Sequence, residues 1–282
     1  MTLQREQLMV LKKQWKLVLG GLVIAALMLL PFWVMIVTSL MGKNEVFSAT
    51  PSLIPKSWHW ENYLRIFDVI PIDRYFWNSL FVSGVTTVLH VLCCAMAAYA
   101  FSRLPLPRKN LLFFVFLITM MIPPQVNIVP LFFLMKQFDW LNSYWALIVP
   151  GVFGAFGVFL LRQWFNGIPR DLEDAARMDG CNPWQVFWNV YWPLSTPALA
   201  ALAIFVFINS WNSFMWPLIS TYSEDIRVLT VGLAELKGSF RDTTDWPLLM
   251  AASTLSILPV LVVFLFGQKH FMRGILAGSV KE

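Results

Sequence analysis

Few side chains in this 282-residue chain have the type and spacing to do chemistry. His59, His90 and His270 lie in different segments, and neither they nor Cys93, Cys94 and Cys181 show metal-ligand or disulfide spacing. Ligands far apart in sequence can still converge in space, so a haem or di-metal site stays open at this point. The phosphate-cradling pattern Gly-x4-Gly-Lys-Ser/Thr is absent, which assigns any ATP hydrolysis to a partner. Two groupings remain. The first is a set of polar residues inside apolar runs: Asn78, His90, Gln125, Asn127, Asn209, Ser210, Asn212 and Ser213. Such residues mark a solute path or hold helices together by hydrogen bonds of about 0.6–2 kcal/mol each. For any one of them the bond between helices is the simpler account. The cluster 209-NSWNSFMW-216 is stronger, because Trp211 and Trp216 offer aromatic faces that suit the apolar faces of sugar rings. The second grouping is the insert 173-EDAARMDGCNPWQVFWNVYWP-193, polar and acidic at its start.

The elements that carry these residues are apolar. The chain is 58% hydrophobic, 16% aromatic and 13% charged, against about 25% charged in soluble domains, which predicts an all-α integral membrane protein. The net charge of +5 comes without a basic run long enough for nucleic acid, so no nucleic-acid partner is expected. Spanning the bilayer takes about 20 apolar residues. Six runs qualify: about 17–40, 76–101, 111–135, 144–165, 197–219 and 248–267. Pro123, Pro124 and Pro130 interrupt the third, which predicts a kinked or broken helix there. The first is longer than a signal-peptide core and is expected to be an uncleaved span.

Orientation follows from lysine and arginine. Arg5, Lys12, Lys13 and Lys16, then Arg103, Arg108 and Lys109, then Lys269, Arg273 and Lys281 all fall on one side of a six-span chain. Both termini are therefore expected in the cytoplasm, with loops about 41–75 and 220–247 outside. Arg162 is expected to snorkel from the end of the fourth span.

This places the loop about 166–195 in the cytoplasm, where its two arginines against four acids give a net of −2. Pro169 and Asp171, with Asp174 three residues on, predict a helix start. Arg177 follows Glu173 by four residues, a favourable pair on one face. Gly180 predicts the end of that helix in a left-handed turn. Asn182 as N-cap, Pro183 as first helical residue and Gln185 in the capping box predict a second helix that stops at Pro193. Ala175 and Ala176 permit close approach of another surface. Trp184, Phe187, Trp188 and Tyr191 are more aromatic than a solvated loop needs, and packing on span ends or in the membrane interface is their simplest role.

Asp174-Ala175-Ala176, three residues, Gly180, nine residues and Val190-Tyr191-Trp192-Pro193 resemble the EAA signature of permease subunits of binding-protein-dependent ABC importers. Aspartate stands for the glutamate, valine for the isoleucine and tryptophan for the leucine, with the spacing intact. The segments 119-TMMIPPQVNIVPLFFLMKQFDWLNSYWALIVP-150, 205-FVFINSWNSFMWPLI-219 and 271-FMRGILAGSVKE-282 are similar to the carbohydrate branch, the maltose-transporter-like second permease. The resemblance implies a type I importer permease fold with a cytoplasmic coupling helix between spans four and five. Asp174, Ala175, Ala176 and Gly180 would then dock on an ATPase subunit, and Pro193 would end the supporting helix. Gly278, Ser279 and Lys281 in the tail would also reach the ATPase, and Gln125, Asn127, Asn209, Trp211, Asn212 and Trp216 would line the solute path.

The implied partners are a second permease subunit in a heterodimer, two ATPase subunits carrying ATP and Mg, and an extracytoplasmic solute-binding protein. Trp58, Trp60 and Tyr63 in the first outer loop face that protein or the membrane interface. The implied setting is a bacterial or archaeal cytoplasmic membrane, the implied solute carbohydrate-like, and no cofactor is expected on this chain. A secondary transporter and a membrane redox or enzyme subunit stand as the alternatives. They would need inverted repeats with intramembrane charges, or converging histidines.

Overall fold

The fold is described from a computed structural model at residues 2–47, 53–238 and 244–279. Among the described residues every regular element is helical. In chain order these are α1 (Thr2–Ser39), α2 (Lys43–Val46), α3 (Asn62–Val69), α4 (Ile72–Arg103), α5 (Lys109–Ile118), α6 (Ile128–Gln137), α7 (Tyr144–Ile148) and α8 (Ala155–Asn166). There follow α9 (Arg170–Met178), α10 (Pro183–Val186), a π-turn (Phe187–Tyr191), α11 (Trp192–Leu194), α12 (Thr196–Trp211), α13 (Met215–Ser220), α14 (Leu229–Gly238) and α15 (Trp246–Ser279). Among the described residues, four stretches are long and apolar enough to cross a membrane, or up to six if each of two bent pairs counts as one span.

The chain divides into two units, one of Met1–Ile70 with Glu235–Leu255 and one of Pro71–Ala234 with Ser256–Glu282. In the first, α1 leaves its side chains exposed from Leu17 through Val34. Its end is tied down by polar contacts: Asn62 Nδ2 donates to the Ser39 and Met41 carbonyls at 3.0 Å each, and Ser39 Oγ pairs with Tyr63 OH at 2.8 Å. Buried Asp245 is held by Lys43 at 2.8 Å and Arg65 at 3.2 Å. Tyr63 is thus a structural bond, whereas Trp58 and Trp60 are exposed and stack with centroids 5.9 Å apart.

The second unit is built on α4, whose 32 residues span roughly 48 Å at about 1.5 Å per residue. The chain of α7 and α8 lies against α4 through small residues. A Cβ on Gly151 would sit 2.7 Å from Thr86 Cγ2, one on Gly154 2.7 Å from His90 Cε1, and one on Gly157 2.8 Å from Cys94 Sγ. Only hydrogen at these positions lets the backbones approach so closely, the device membrane helices use in place of a hydrophobic drive.

Three of the expected spans are not single continuous α-helices. The third breaks between Met121 and Pro124 into segments bent by 91°. The fourth, expected to be continuous, breaks before α8 at extended Gly154. Pro150 cannot donate to the Ala146 carbonyl, and Trp216 Nε1 takes that acceptor at 2.8 Å. The fifth is shorter than expected, because α12 stops at Trp211 and α13 starts only at Met215. The Ser213 carbonyl left in that gap accepts from Thr230 Oγ1 at 2.6 Å. The Arg162 guanidinium covers the Phe113 ring at 3.9 Å and donates to the Phe101 carbonyl at 3.3 Å and to Asn110 Oδ1 at 3.2 Å.

Candidate functional site

The insert folds as helix, turn and helix. Proline stands at the N-cap of α9 (Pro169) without a side-chain cap bond, so Asp171 and Asp174 lie inside the helix and form no capping box. The two first-turn acids, Asp171 and Glu173, still favour the helix N-terminus electrostatically. At the other end Gly180 has φ 83°, its N–H bonds the Arg177 carbonyl, and Cys181 N–H bonds that of Ala176, each at 3.0 Å. Asn182 Oδ1 accepts from Gln185 N–H at 2.9 Å while Gln185 Oε1 accepts from Asn182 N–H at 2.8 Å, a complete capping box. The second helix ends at Leu194, one residue past Pro193. It widens into the π-turn, where Trp192 N–H bonds the Phe187 carbonyl, and carries Pro193 inside α11. A wider turn makes room for a ring that an α-helix would press against the carbonyl four residues back. The chain turns at Ser195, with a 78° bend. There Pro197 cannot donate to the Pro193 carbonyl, and Thr196 Oγ1 takes it at 2.7 Å.

One face of α9 is buried and one is free. Outward, Asp171, Asp174, Ala175 and Met178 lie at helical spacing, with Met178 88% exposed. Inward, Ala176 packs on the core formed by the ends of α4, α8 and the π-turn. Glu173 is buried beside it: Oε1 accepts from Arg177 Nη2 at 2.5 Å and Oε2 from Tyr191 OH at 2.8 Å, with Arg103 Nη1 4.0 Å away. Arg103 Nη2 donates to the Phe165 and Ile168 carbonyls, the latter at 2.6 Å, and its guanidinium stands 5.1 Å from the Tyr191 ring centroid. A cation is favoured at those carbonyls by the C-terminal dipole of α8. Burial pushes the Tyr191 phenol well above its ordinary pKa, and its bond to Glu173 pushes the same way. Tyr191 therefore stays a neutral donor. Phe187, Tyr191, Tyr99 and Phe165 pack around this cluster at centroid separations of 5.1–5.5 Å, while Trp184 remains 58% exposed.

A second feature lies further along α4, a cavity of about 350 Å³. Ser79, Ser83, Thr86 and His90 line one side, at the i, i+4, i+7, i+11 spacing that keeps them on one helix face. Asn209, Ser210 and Ser213 face it from α12 and the gap after it, and Phe156, Phe205 and Trp216 supply aromatic walls. Ser79 Oγ accepts from Leu229 N–H at 2.7 Å, and His90 Nδ1 donates to the Gly151 carbonyl at 2.8 Å. The hydroxyls of Ser83 and Thr86 are buried with no hydrogen-bond partner in the protein. Each orphaned polar group costs about 1–3 kcal/mol.

A family model described as binding-protein-dependent transport system inner membrane component matches residues 91–277. The chain belongs to this family. The arabinooligosaccharides transport system permease protein AraQ of Halalkalibacterium halodurans is 35% identical over 270 residues, covering 95% of this chain and 96% of its own. The probable ABC transporter permease protein YurM of Bacillus subtilis is 36% identical over 255 residues (89% of this chain, 83% of its own). The sn-glycerol-3-phosphate transport system permease protein UgpE of Pectobacterium atrosepticum is 33% identical over 254 residues (88% and 90%). The fold matches a chain of a bacterial ABC transporter involved in the import of the acidic polysaccharide alginate, with TM-score 0.82 and 24% identity over 92% of this chain and 97% of that one. The architecture is thus that of a type I ABC importer permease.

In this permease the sequence-predicted residues fall in separate places. Asp174, Ala175 and Gly180 are exposed on or beside α9, whereas Ala176 is half-buried against the protein's own core. Asn209 and Trp216 line the cavity. Trp211 and Asn212 do not: Trp211 is buried between Phe76 and Phe207 with its indole N–H on the Ser256 carbonyl at 3.0 Å, and Asn212 is exposed at the break after α12. Gln125 and Asn127 are exposed in the turn Pro124–Asn127 and lie outside the cavity lining. Gly278 and Ser279 are described only as backbone of α15, and Lys281 lies outside the described residues. Sequence reasoning used Arg103 only for topology and Glu173 only as partner to Arg177, and it passed over Ser79, Ser83 and Thr86. The polar stripe on α4 was the available signal; nothing local announces the Arg103 contact, which closes across 70 residues.

Proposed function

We propose that this permease is the membrane-spanning half of an ATP-driven importer for a sugar or sugar-like solute, and that α9 transmits the closure of a partner ATPase to the spans. The observation that carries the reading is the two-sided α9. Its outer face presents an acid, a small residue and a bare methionine to a partner, and its inner face is bonded through Glu173 to Tyr191. An exposed apolar and acidic helix face suits a groove with basic rims. Displacement of α9 reaches the π-turn through Glu173 and Tyr191, and α12 lies one bend beyond. ATP and Mg are carried by the two ATPase subunits, and the chain itself hydrolyses nothing. A second permease subunit completes the path, an extracytoplasmic binding protein delivers the solute, and both termini face the cytoplasm of a cell with a cytoplasmic (inner) membrane. Relatives named for arabinooligosaccharides, sn-glycerol 3-phosphate and alginate support a carbohydrate-like cargo. The test is co-purification: the ATPase subunit is retained by wild type and lost when residues 174–180 are scrambled. Retention after scrambling refutes the docking role.

A further inference from the structure

We infer that Arg103 is a positioning residue for the coupling motion: α9 takes hold of α4 and α8 through a link from Glu173 to Arg103, open in this structure and closed when α9 is seated. The inference rests on the importer reading above and deepens it. It gives the motion a second route, besides the one through Tyr191 to α12.

Arg103 is the last residue of α4, and its side chain is 4% exposed. Nη2 is committed to the carbonyls of Phe165 and Ile168, in the last turn of α8 and in the joint that leads to α9. One guanidinium therefore ties the end of α4 to the joint between α8 and α9. The rest of it is underused. Nε has no hydrogen-bond partner among the described residues, and Nη1 stops 4.0 Å from Glu173 Oε2. A buried cation is held by direct, well-aimed bonds that replace its lost hydration, and here the nearest carboxylate stays out of bonding range.

Glu173 instead bonds Arg177 of its own helix through Oε1 at 2.5 Å, and Tyr191 OH through Oε2 at 2.8 Å. Each carboxylate oxygen accepts two bonds, so Oε2 can take Arg103 without releasing Tyr191. Closing the gap to the length of a charge-assisted bond, about 2.8 Å, takes roughly 1 Å of travel. Glu173 lies on the buried face of α9, so pressure on the outer face drives it that way. What Arg103 then moves is stiff. The chain of α8 meets α4 at Gly154 and Gly157 with no room for a Cβ, so the two helices shift together. From Arg103 to His90 is 13 residues along α4, or about 20 Å, which carries the shift from the insert to the cavity.

The test uses the complete importer, with both permeases and ATPase, in nanodiscs, with and without a non-hydrolysable ATP analogue to close the ATPase. The readout is hydrogen–deuterium exchange of the Gly167 and Ile168 amides, which bond the Trp164 and Phe165 carbonyls at 3.0 and 3.1 Å beside the Arg103 contacts. In wild type the analogue should slow their exchange about tenfold, the order of one charge-assisted hydrogen bond. Glu173→Gln keeps an oxygen for Tyr191 and removes the charge that draws Arg103. It should assemble with the ATPase as wild type does and lose the slowing. Arg103→Gln should lose it too, and the double variant should lose no more than either alone, because the two residues form one link. A purely structural role would change exchange equally with and without the analogue. No slowing in wild type, or the same slowing in Glu173→Gln, overturns the link. Absence of the ATPase from the purified wild-type complex overturns the importer reading and this inference with it, whereas an assembled complex with no effect of the analogue overturns this inference alone.

Discussion

Tyr191→Phe tests how α9 is held. The substitution deletes one oxygen that donates to Glu173 at 2.8 Å, between side chains that are both buried, with Tyr191 0% and Glu173 5% exposed. A hydrogen bond to a charged group contributes about 1.5–3 kcal/mol, and with both partners buried there is no solvent screening to discount. At about 1.36 kcal/mol per tenfold, local opening of α9 should become roughly 10- to 150-fold more frequent. Hydrogen–deuterium exchange of the α9 amides in nanodiscs reads this directly, with the mid-α4 amides as the internal reference. The pH dependence carries a sign. The folded phenol has a raised pKa, so its contribution is complete below the ordinary tyrosine value near 10 and is lost only as pH climbs through the raised one. The protection difference between wild type and Tyr191→Phe should therefore be flat across neutral pH. Glu173→Gln closes a double-mutant cycle whose coupling should be of the same size. Equal exchange of α9 in wild type and Tyr191→Phe, or equal loses of protection in α9 and α4, would refute the reasoning.

Three further outcomes follow from the same geometry. Gly180→Val should cost about 1–2 kcal/mol from its left-handed φ alone, because nothing lies within 4 Å of the added Cβ; Gly180→Asn should recover part of the loss of ATPase association. Gly154→Ala drives a methyl into His90 and should lower stability by about 1–3 kcal/mol, read as a fall in melting temperature in detergent. Asn182→Ala breaks the capping box and should cost about 1 kcal/mol, seen as faster exchange of the Trp184 and Gln185 amides.

Local chemistry was legible in the sequence wherever one residue suffices to set a backbone. Gly180 announces a positive φ, and Asn182 with Gln185 announces a cap, because each acts within four residues. Prolines announce the break in the third run and the turn before the fifth, which comes at Ser195, yet the break at Gly154 was missed. At the last two the freed carbonyls are rescued by Thr196 and Trp216, and a proline's effect depends on whether such a partner arrives. Pro193 marks the end of the second helix to within one residue, the π-turn before it making room for its ring so that the helix closes at Leu194. Tertiary bonds left no trace in the sequence. Arg103 reads as a topology marker and closes on Phe165, Ile168 and Tyr191 only once the chain is folded. The cavity was half legible: Asn209 and Trp216 stood out as polar and aromatic in an apolar run, while the serines of α4 are common enough in membrane helices to be read as glue.

The central claim is that the outer face of α9 touches the ATPase. Cysteines placed singly at Ala175 and Met178, in an importer whose Cys181 is replaced by serine, can be linked by a short bifunctional maleimide to the assembled partner. The account predicts ATPase adducts from both positions, and none from Ala176→Cys, whose side chain turns toward the protein's own core. Adducts from Ala176→Cys alone, or from none of the three in an importer that assembles and transports, would contradict it.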